Sequence, residues 1–321
     1  MEIKDKTCKP NIAVLLAAYN GEEWIYEQIK TILNQNDVNI HIYISVDLST
    51  DNTYNIVRSL SEECSEITLL PYGEIFGSAA KNFYNLILNV PIEDYDYISL
   101  SDQDDIWLED KLSKAIDKLN KLNADGYSSN VMAVWESGKK VLIKKSFPQR
   151  KYDYLFEAPG PGCTFLLKNN LIIGLKKIMA DKKKYLFQLN MHDWFIYAYA
   201  RSHNYKWIID NKYYINYRQH NHNELGANFG YRAFINRIKI MLTGYGISQS
   251  ILIINYLELQ DIPFVQKWYA ANKIDFRNLA LNTNQCRRRR KDRFFFFVLC
   301  ILLLIINKFK GIYDSKIYFA G

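Results

Sequence analysis

Three carboxylates, Asp102, Asp104 and Asp105, stand within four residues, directly after the apolar run Tyr97-Ile98-Ser99-Leu100. Placed at the carboxyl end of a buried strand, they would gather at the sheet edge where α/β proteins bind ligands. Carboxylates this close repel one another unless a proton or a cation sits among them. Hard oxygen donors that leave room for water and phosphate suit Mg²⁺ or Mn²⁺. The chemistry to expect is metal-assisted work on a phosphorylated donor. A helix cap needs one such carboxylate, and three ask for more. Asp102 and Asp104 are read as metal or ribose ligands, while Asp105 stays open between site and cap.

Four further groups have side chains fit for the same task. In Ala17-Ala18-Tyr19-Asn20-Gly21, the backbone and the Tyr19 ring can hold a nucleotide base. Taken alone, an ordinary strand-to-helix turn explains this stretch better. Asp47 sits at a strand end and can accept the imino hydrogen of a pyrimidine. Ser49 to Thr53 equally suit helix capping, and Asp51 is assigned mainly to that role. Met191-His192-Asp193-Trp194 offers a carboxylate that either caps the next helix or lies in a partly apolar pocket beside Trp194. The second setting raises a carboxyl pKa and makes a better base. The run from Tyr217 to Gly226 brings His220 and His222 beside Arg218. Arg218 and His220 can neutralise a diphosphate or complete a metal shell; judged alone, a polar loop explains the run better.

The frame for these groups alternates strand and helix. Ile12 to Ala18 has the continuous apolar character of a buried parallel strand. Ile40 to Val46, Ile67 to Leu70 and Tyr95 to Leu100 predict three more. Between them, Glu22 to Asn34, a helix capped by Ser49 or Asp51, and a helix begun by Gly77 carry apolar residues at helical spacing; Glu109 to Leu122 follows the acids. This alternation implies βαβ units, a mostly parallel sheet and helices on both faces. Beyond Leu122 the pattern loosens. Val131 to Lys144 suggests a hairpin, and Cys163 to Leu167 a strand. Asn169 to Met179 and Asp193 to Ser202 suggest helices. Trp207 to Ile209 and Tyr213 to Tyr217 suggest two short strands, and Phe234 to Leu259 a helical stretch.

Composition narrows the class. Hydrophobic residues make up 49% of 321, enough for one large globular domain with an extension. The five cysteines are scattered, odd in number and without zinc-like or redox-like spacing, which favours a reduced, cytosolic setting. The first apolar run is too short for a signal peptide core, so no secretion is expected. Much of the net charge of +7 sits in Arg287-Arg288-Arg289-Arg290-Lys291 and Arg293. The apolar run Phe294 to Ile306 follows at once. As a helix it would reach roughly 20 Å against a hydrocarbon core of ~30 Å, short for a span. A basic run beside four phenylalanines suits an anionic membrane surface, through 287–306, better than nucleic acid. The competing reading docks this helix on the catalytic domain or on a second subunit of a homodimer.

In chain order, Leu15-Leu16-Ala17-Ala18-Tyr19-Asn20-Gly21, the Asp47 to Thr53 stretch, Ser101-Asp102-Gln103-Asp104-Asp105-Ile106-Trp107, Gly160-Pro161-Gly162-Cys163-Thr164, His192-Asp193-Trp194 and Tyr217-Arg218-Gln219-His220 resemble glycosyltransferase family 2. The resemblance is strongest to its bacterial rhamnosyltransferase-like members. It implies a GT-A catalytic domain over 1–225, Rossmann-like, with a mostly parallel sheet flanked by helices. A helical extension is expected over 226–285 and a basic, apolar tail over 286–321. The resemblance also implies a nucleotide-sugar donor, a divalent cation and inversion at the anomeric carbon. On that pattern Ala17, Tyr19, Asn20, Asp47, Lys81, Asp102, Gln103 and Arg218 contact the donor. Asp104 and His220 take the metal, Mg²⁺ or Mn²⁺. Asp193 is the general base, and Gly162, His192 and Trp194 lie on the acceptor side.

The expected reaction moves rhamnose from dTDP-rhamnose to a hydroxyl of a lipid-linked bacterial surface polysaccharide, in the cytoplasm at the inner face of the plasma membrane. The alternatives are a UDP-hexose or UDP-N-acetylhexosamine donor and, in another class, nucleotidyl transfer. The last would want a phosphate-cradling glycine-rich loop, and the sequence has none evident. Two departures stand out: Val46 where the family often has an acid, and Leu48 where it has a glycine. A leucine resists positive φ, so the turn beside the base is expected to differ.

Overall fold

The computed structural model describes residues 9–220 and 243–310. His222, the rest of the polar run to Gly226 and the front of the helix expected from Phe234 lie outside the described residues. The first half alternates β1 (Asn11–Ala18), α1 (Ile25–Leu33), β2 (Asn39–Val46), α2 (Thr53–Glu63), β3 (Ile67–Leu69), α3 (Ala79–Asn89), β4 (Tyr97–Asp102), β5 (Ile106–Trp107) and α4 (Lys111–Lys121). Then come β6 (Gly126–Trp135), β7 (Lys140–Ile143), β8 (Leu166–Lys168), α5 (Asn169–Asp181), α6 (Lys183–Leu186), α7 (His192–Ser202) and β9 (Trp207–Gln219). The C-terminal part holds α8 (Tyr245–Tyr256), α9 (Pro263–Trp268), the hairpin β10 (Tyr269–Ala270) and β11 (Lys273–Ile274), α10 (Phe276–Leu281), α11 (Thr283–Cys286) and α12 (Arg290–Lys310).

One mixed sheet runs β3-β2-β1-β4-β8-β6-β9-β5, with β7 paired to β6. From β3 to β4 the pairing is parallel; it turns antiparallel at β8. β1 shows why so apolar a strand is needed. Ala13, Leu15 and Ala17 face one core; Ile12, Val14, Leu16 and Ala18 face the other. Helices α1, α2 and α4 cover the second face, and α3, α5 and α7 the first. A strand buried on both sides cannot alternate polar and apolar residues.

Two expectations need correction. Cys163 does not start a strand: Gly162–Thr164 is a 3₁₀ turn, and β8 begins at Leu166. The turn is set by Pro161, whose carbonyl accepts from both N (3.0 Å) and Oγ1 (2.7 Å) of Thr164. Trp207 to Gln219 is one long strand, not two. The polar Asp210-Asn211-Lys212 reads as a break, but register shifts against Ser129, Asn130 and Met132 absorb it.

The C-terminal helices close the first core. Phe296, Leu299, Cys300 and Leu303 of α12 join the same cluster as α3 and α7. The basic run is partly internal. Arg288, 4% exposed, donates to Asp153 Oδ2 at 3.1 Å, and its backbone N–H reaches Glu157 Oε1 at 2.6 Å. Arg201 binds the other oxygen of the fully buried Asp153 at 3.2 Å. Removing Arg288 would leave two carboxylates, the buried Asp153 and the half-buried Glu157, with Arg201 as the one cation still paired to Asp153 among the described residues, and an under-compensated buried charge is costly. Arg288→Met is therefore expected to lower unfolding free energy by about 3 kcal/mol, read from urea denaturation; an unchanged midpoint would show that this pair does not fasten the tail. Among the described residues no helix is long and apolar enough to cross a membrane.

Candidate active site

The carboxyl ends of β1, β2 and β4 share one sheet edge, with Ala17 opposite both Ser45 and Asp102, and Ala18 opposite Val46. This register brings Tyr19, Asp47 and Asp102 to neighbouring positions. The Tyr19 side chain is exposed, and its backbone is held. Gln103 accepts from Tyr19 N (2.6 Å) and donates to Tyr19 O (2.7 Å). The amide expected among the donor contacts thus clamps the turn that presents the ring. Gly21 makes room for it, because a Cβ there would lie 2.5 Å from Gln103 Cδ. Gly21→Ala is expected to destabilise the protein by about 1–3 kcal/mol through this overlap, seen as a lower Tm by calorimetry. Asn20, at φ 46°, accepts from Thr50 N at 2.8 Å.

Asp47, 5% exposed, accepts from the backbone N–H groups of Leu48 (2.8 Å), Phe76 (2.9 Å) and Gly77 (2.8 Å). It therefore holds the loop that leads into α3, where Lys81 sits in the first turn. Three of its roughly four acceptor positions are engaged, leaving one on Oδ2. Leu48 is not among the residues with positive φ, so this turn does without a glycine. Asp51 accepts from Thr53 N (3.0 Å) and Glu22 N (3.0 Å), tying the start of α2 to the turn before α1.

The acidic cluster does not cap a helix. α4 begins at Lys111 after Asp110, and β5 intervenes. Asp104 Oδ2 lies 2.9 Å from His220 Nε2. The His220 ring stacks on Trp24 (centroids 3.8 Å, 14°). Arg218 Nε donates to the Asp104 carbonyl at 3.0 Å, and its Nη2 to Glu27 at 2.7 Å. Arg218 thus braces the cluster instead of pointing at open space. Asp105 is fully buried, and among the described residues neither oxygen makes a hydrogen bond of ordinary length and angle, with the Cys163 thiol and the Arg218 backbone as its polar neighbours. Burial first, then the Asp104 and Asp102 charges, push its carboxyl well above the usual range. Beneath it Lys111 Nζ meets Ser99 Oγ (3.1 Å) and lies 3.2 Å from the Trp107 ring centre. Burial brings this ammonium down to about 7.

Two donor sets can be tested against a divalent cation. Asp104 and His220 bring a carboxylate oxygen and an imidazole nitrogen 2.9 Å apart; the carboxylate suits Mg²⁺ or Mn²⁺, and the imidazole, a transition-metal ligand, favours Mn²⁺ of the two. Ligand atoms of Asp102, Asp105 and Cys163 also lie within 4.8 Å of one another. Burial pushes the Cys163 thiol far up, and a thiol is a soft donor, so this set fits a hard cation poorly.

The 3₁₀ turn joins the two halves of the site. Cys163 adjoins Asp102 and Asp105, and a Cβ on Gly162 would collide with His192 Nε2. His192, packed on Phe83 at 4.2 Å, is lowered by burial to about 3, hence neutral. Next to it Asp193 opens α7. Burial raises its carboxyl to about 6 against the pull of the Trp194 N–H and the Lys145 charge. Trp194 itself is a core side chain, its Nε1 bonded to Tyr154 O at 2.8 Å. Lys145, Trp24 and Glu27 had no sequence signal as site residues. Trp24 and Glu27 look like two ordinary positions around a helix start, and Lys145 like one more cation on a polar stretch.

Residues 13–156 match Glycosyl transferase family 2. Over 274 residues the chain is 45% identical to dTDP-rhamnosyl transferase RfbG of Shigella flexneri, covering 85% of this chain and 94% of that protein. The chain belongs to glycosyl transferase family 2. Within it, the chain is a rhamnosyltransferase-like member. It is also 32% identical over 192 residues to UDP-Glc:alpha-D-GlcNAc-diphosphoundecaprenol beta-1,3-glucosyltransferase WfaP of Escherichia coli, covering 56% of this chain and 69% of that one. In fold, this glycosyltransferase is similar to the mannosyltransferase PcManGT of Pyrobaculum calidifontis, solved with GDP-Man and Mn²⁺ (TM-score 0.52, 14% identity, 97% of this chain and 78% of that one). It is likewise similar to S. aureus TarS 1-349 with UDP-GlcNAc (TM-score 0.51, 12% identity, 86% and 82%). The GT-A expectation therefore holds, with a mixed sheet and a helical C-terminal region.

Proposed function

We propose that this glycosyltransferase moves rhamnose from dTDP-rhamnose to a hydroxyl of a lipid-linked glycan, with inversion, at the cytoplasmic face of the membrane. The observation that carries the reading is the turn Gly162–Thr164, which packs the acid cluster on one side and the His192-Asp193 pair on the other. The 45% identity to a dTDP-rhamnosyl transferase supports the donor. The name of WfaP, with its diphosphoundecaprenol acceptor, supports the lipid carrier. Tyr19 offers its ring to the base and Asp102 its carboxylate to the ribose or sugar. Asp104 and His220 would hold Mg²⁺ or Mn²⁺, which supplies positive charge beside the diphosphate.

Asp193 takes the proton from the acceptor hydroxyl. The oxygen attacks the anomeric carbon from the face opposite the diphosphate, and the bond to the diphosphate oxygen breaks with its electron pair. The centre passes through an oxocarbenium-like state and inverts. His192, kept neutral, adds no competing charge beside the base.

The test supplies purified full-length protein with dTDP-rhamnose, UDP-glucose or UDP-N-acetylglucosamine, together with bacterial membranes. Labelled rhamnose should appear in the butanol-extractable lipid fraction, with free dTDP as the second product. Preferential transfer from a UDP-sugar would replace the donor, and release of pyrophosphate would point to nucleotidyl transfer.

A further inference from the structure

The cationic side chains of 144–151 and of 287–293 form a seam where these two segments meet. One wall is the segment 144–151, which is firmly held. The buried Asn130 accepts from the backbone N–H groups of Lys145 (2.7 Å) and Ser146 (3.0 Å), and Gln149 donates to Trp207 O at 3.0 Å. The other wall is the start of α12, fastened by the buried Arg288. The walls meet where Tyr152 N donates to Gln285 O at 3.1 Å and where Arg289 lies over the Phe147 ring at 5.9 Å.

Arg201 and Arg288 share the Asp153 carboxylate. Lys145, Arg150, Arg287 and Arg293 have no carboxylate within ion-pair distance among the described residues. Among the described residues, the Nε atoms of Arg150 and Arg287 and the Ser146 hydroxyl are buried without a hydrogen-bond partner. Buried donors left unmade are costly, and native proteins keep few of them. Arg293 donates through Nε to Arg287 O (2.9 Å) and through Nη2 to Arg288 O (2.7 Å); burial, then the Arg150 and Arg290 charges, hold its guanidinium below the ordinary value. A multivalent anion would relieve both problems, and guanidinium groups match phosphate oxygens in pairs.

The two ends of the seam say which anion. Inward, desolvation and then the Arg288 charge hold the half-buried Lys145 ammonium below its ordinary value, while the Asp193 carboxylate pulls the other way. Outward, α12 exposes Phe294, Phe297, Leu302 and Ile305 beside Arg290 and Lys291. An occupant must offer a sugar to the base, phosphate to the seam and hydrocarbon to the helix.

We propose that the seam is the diphosphate subsite for a polyprenyl-diphosphate-linked acceptor, held by Lys145, Arg150 and Arg287, with the lipid along the outer face of α12. This rests on the lipid-linked acceptor reading above. The probe is farnesyl diphosphate, titrated calorimetrically into full-length protein with dTDP and Mn²⁺ in excess to fill the donor half. It should bind at least about tenfold more tightly than farnesol or pyrophosphate. Arg150→Gln with Arg287→Gln should remove that advantage, and Arg150→Lys should keep most of it. Binding no tighter than farnesol, or binding indifferent to these substitutions, would overturn the subsite. If the substitutions release the protein from phosphatidylglycerol vesicles but leave farnesyl diphosphate binding alone, the cations serve membrane headgroups and the proposal fails. Should butanol-extractable product still form in either case, the acceptor reading survives without the subsite; if wild-type protein makes none, both fall.

Discussion

Asp193→Asn is expected to lower kcat by about 10²–10⁴, the usual worth of a general base, while affinity for the nucleotide stays nearly unchanged. The two halves of the site are built on different elements, joined through the turn Gly162–Thr164. Tyr19, Asp102 and Asp104 belong to the ends of β1 and β4, whereas Asp193 opens α7 and touches its own Trp194 N–H at 2.7 Å. The wild-type rate should climb with pH through about 6, where the Asp193 carboxyl loses its proton, and then level off. Stability should run the other way. A carboxyl raised from 3.8 to about 6 holds more protons folded than unfolded between those values. The stabilisation that comes with the proton is lost as pH rises through that window. At neutral pH an uncharged asparagine avoids the cost, a gain on the order of 1–3 kcal/mol. The variant should therefore melt no lower than wild type while being inactive. Retained turnover, or inactivity accompanied by a clear fall in Tm, would remove Asp193 from the role of base.

Much of the frame was legible because β1 to β4 carry uninterrupted apolar runs, and a strand buried on both faces leaves no other solution. The acidic cluster was legible for an electrostatic reason: three adjacent carboxylates after such a strand exceed what a helix cap uses. What surrounds them was not. Gln103 looks like a donor contact by its place between aspartates, yet its amide closes on the Tyr19 backbone, 84 positions away. Arg218 looks like a phosphate ligand, yet Glu27 and the Asp104 carbonyl take its hydrogen bonds. Asp105 turned out to be fully buried above Lys111, a relation that depends on how β5 folds back to pair with β9. Long-range pairing decides each of these cases, and one sequence carries no signal for it. The basic run misled in the same way. Its local pattern is a surface patch, but Asp153 and Glu157 draw Arg288 inward and convert part of it into the fastening of α12.

Asp104→Ala should abolish the part of donor affinity that depends on a divalent cation. Calorimetry with dTDP is the measurement, with and without Mn²⁺. In the wild type Mn²⁺ should tighten binding by at least about tenfold, as charge-assisted contacts to a diphosphate do; in the variant the ratio should fall to about one. The fold should survive, because Arg218 braces the Asp104 backbone carbonyl and not its carboxylate, and Trp24 still stacks on His220. A loss of affinity can then be read as a loss of ligand atoms. Cys163→Ser discriminates between the two donor sets. If Asp104 and His220 hold the ion, this change at a buried thiol leaves the Mn²⁺ ratio near its wild-type value. If the ion instead belonged to Asp102, Asp105 and Cys163, exchanging sulfur for oxygen would shift the preference between Mn²⁺ and softer cations, and Asp104→Ala would leave the ratio intact. The pair of variants therefore gives opposite results for the two sites, and only the first pattern is compatible with a hard cation beside the diphosphate.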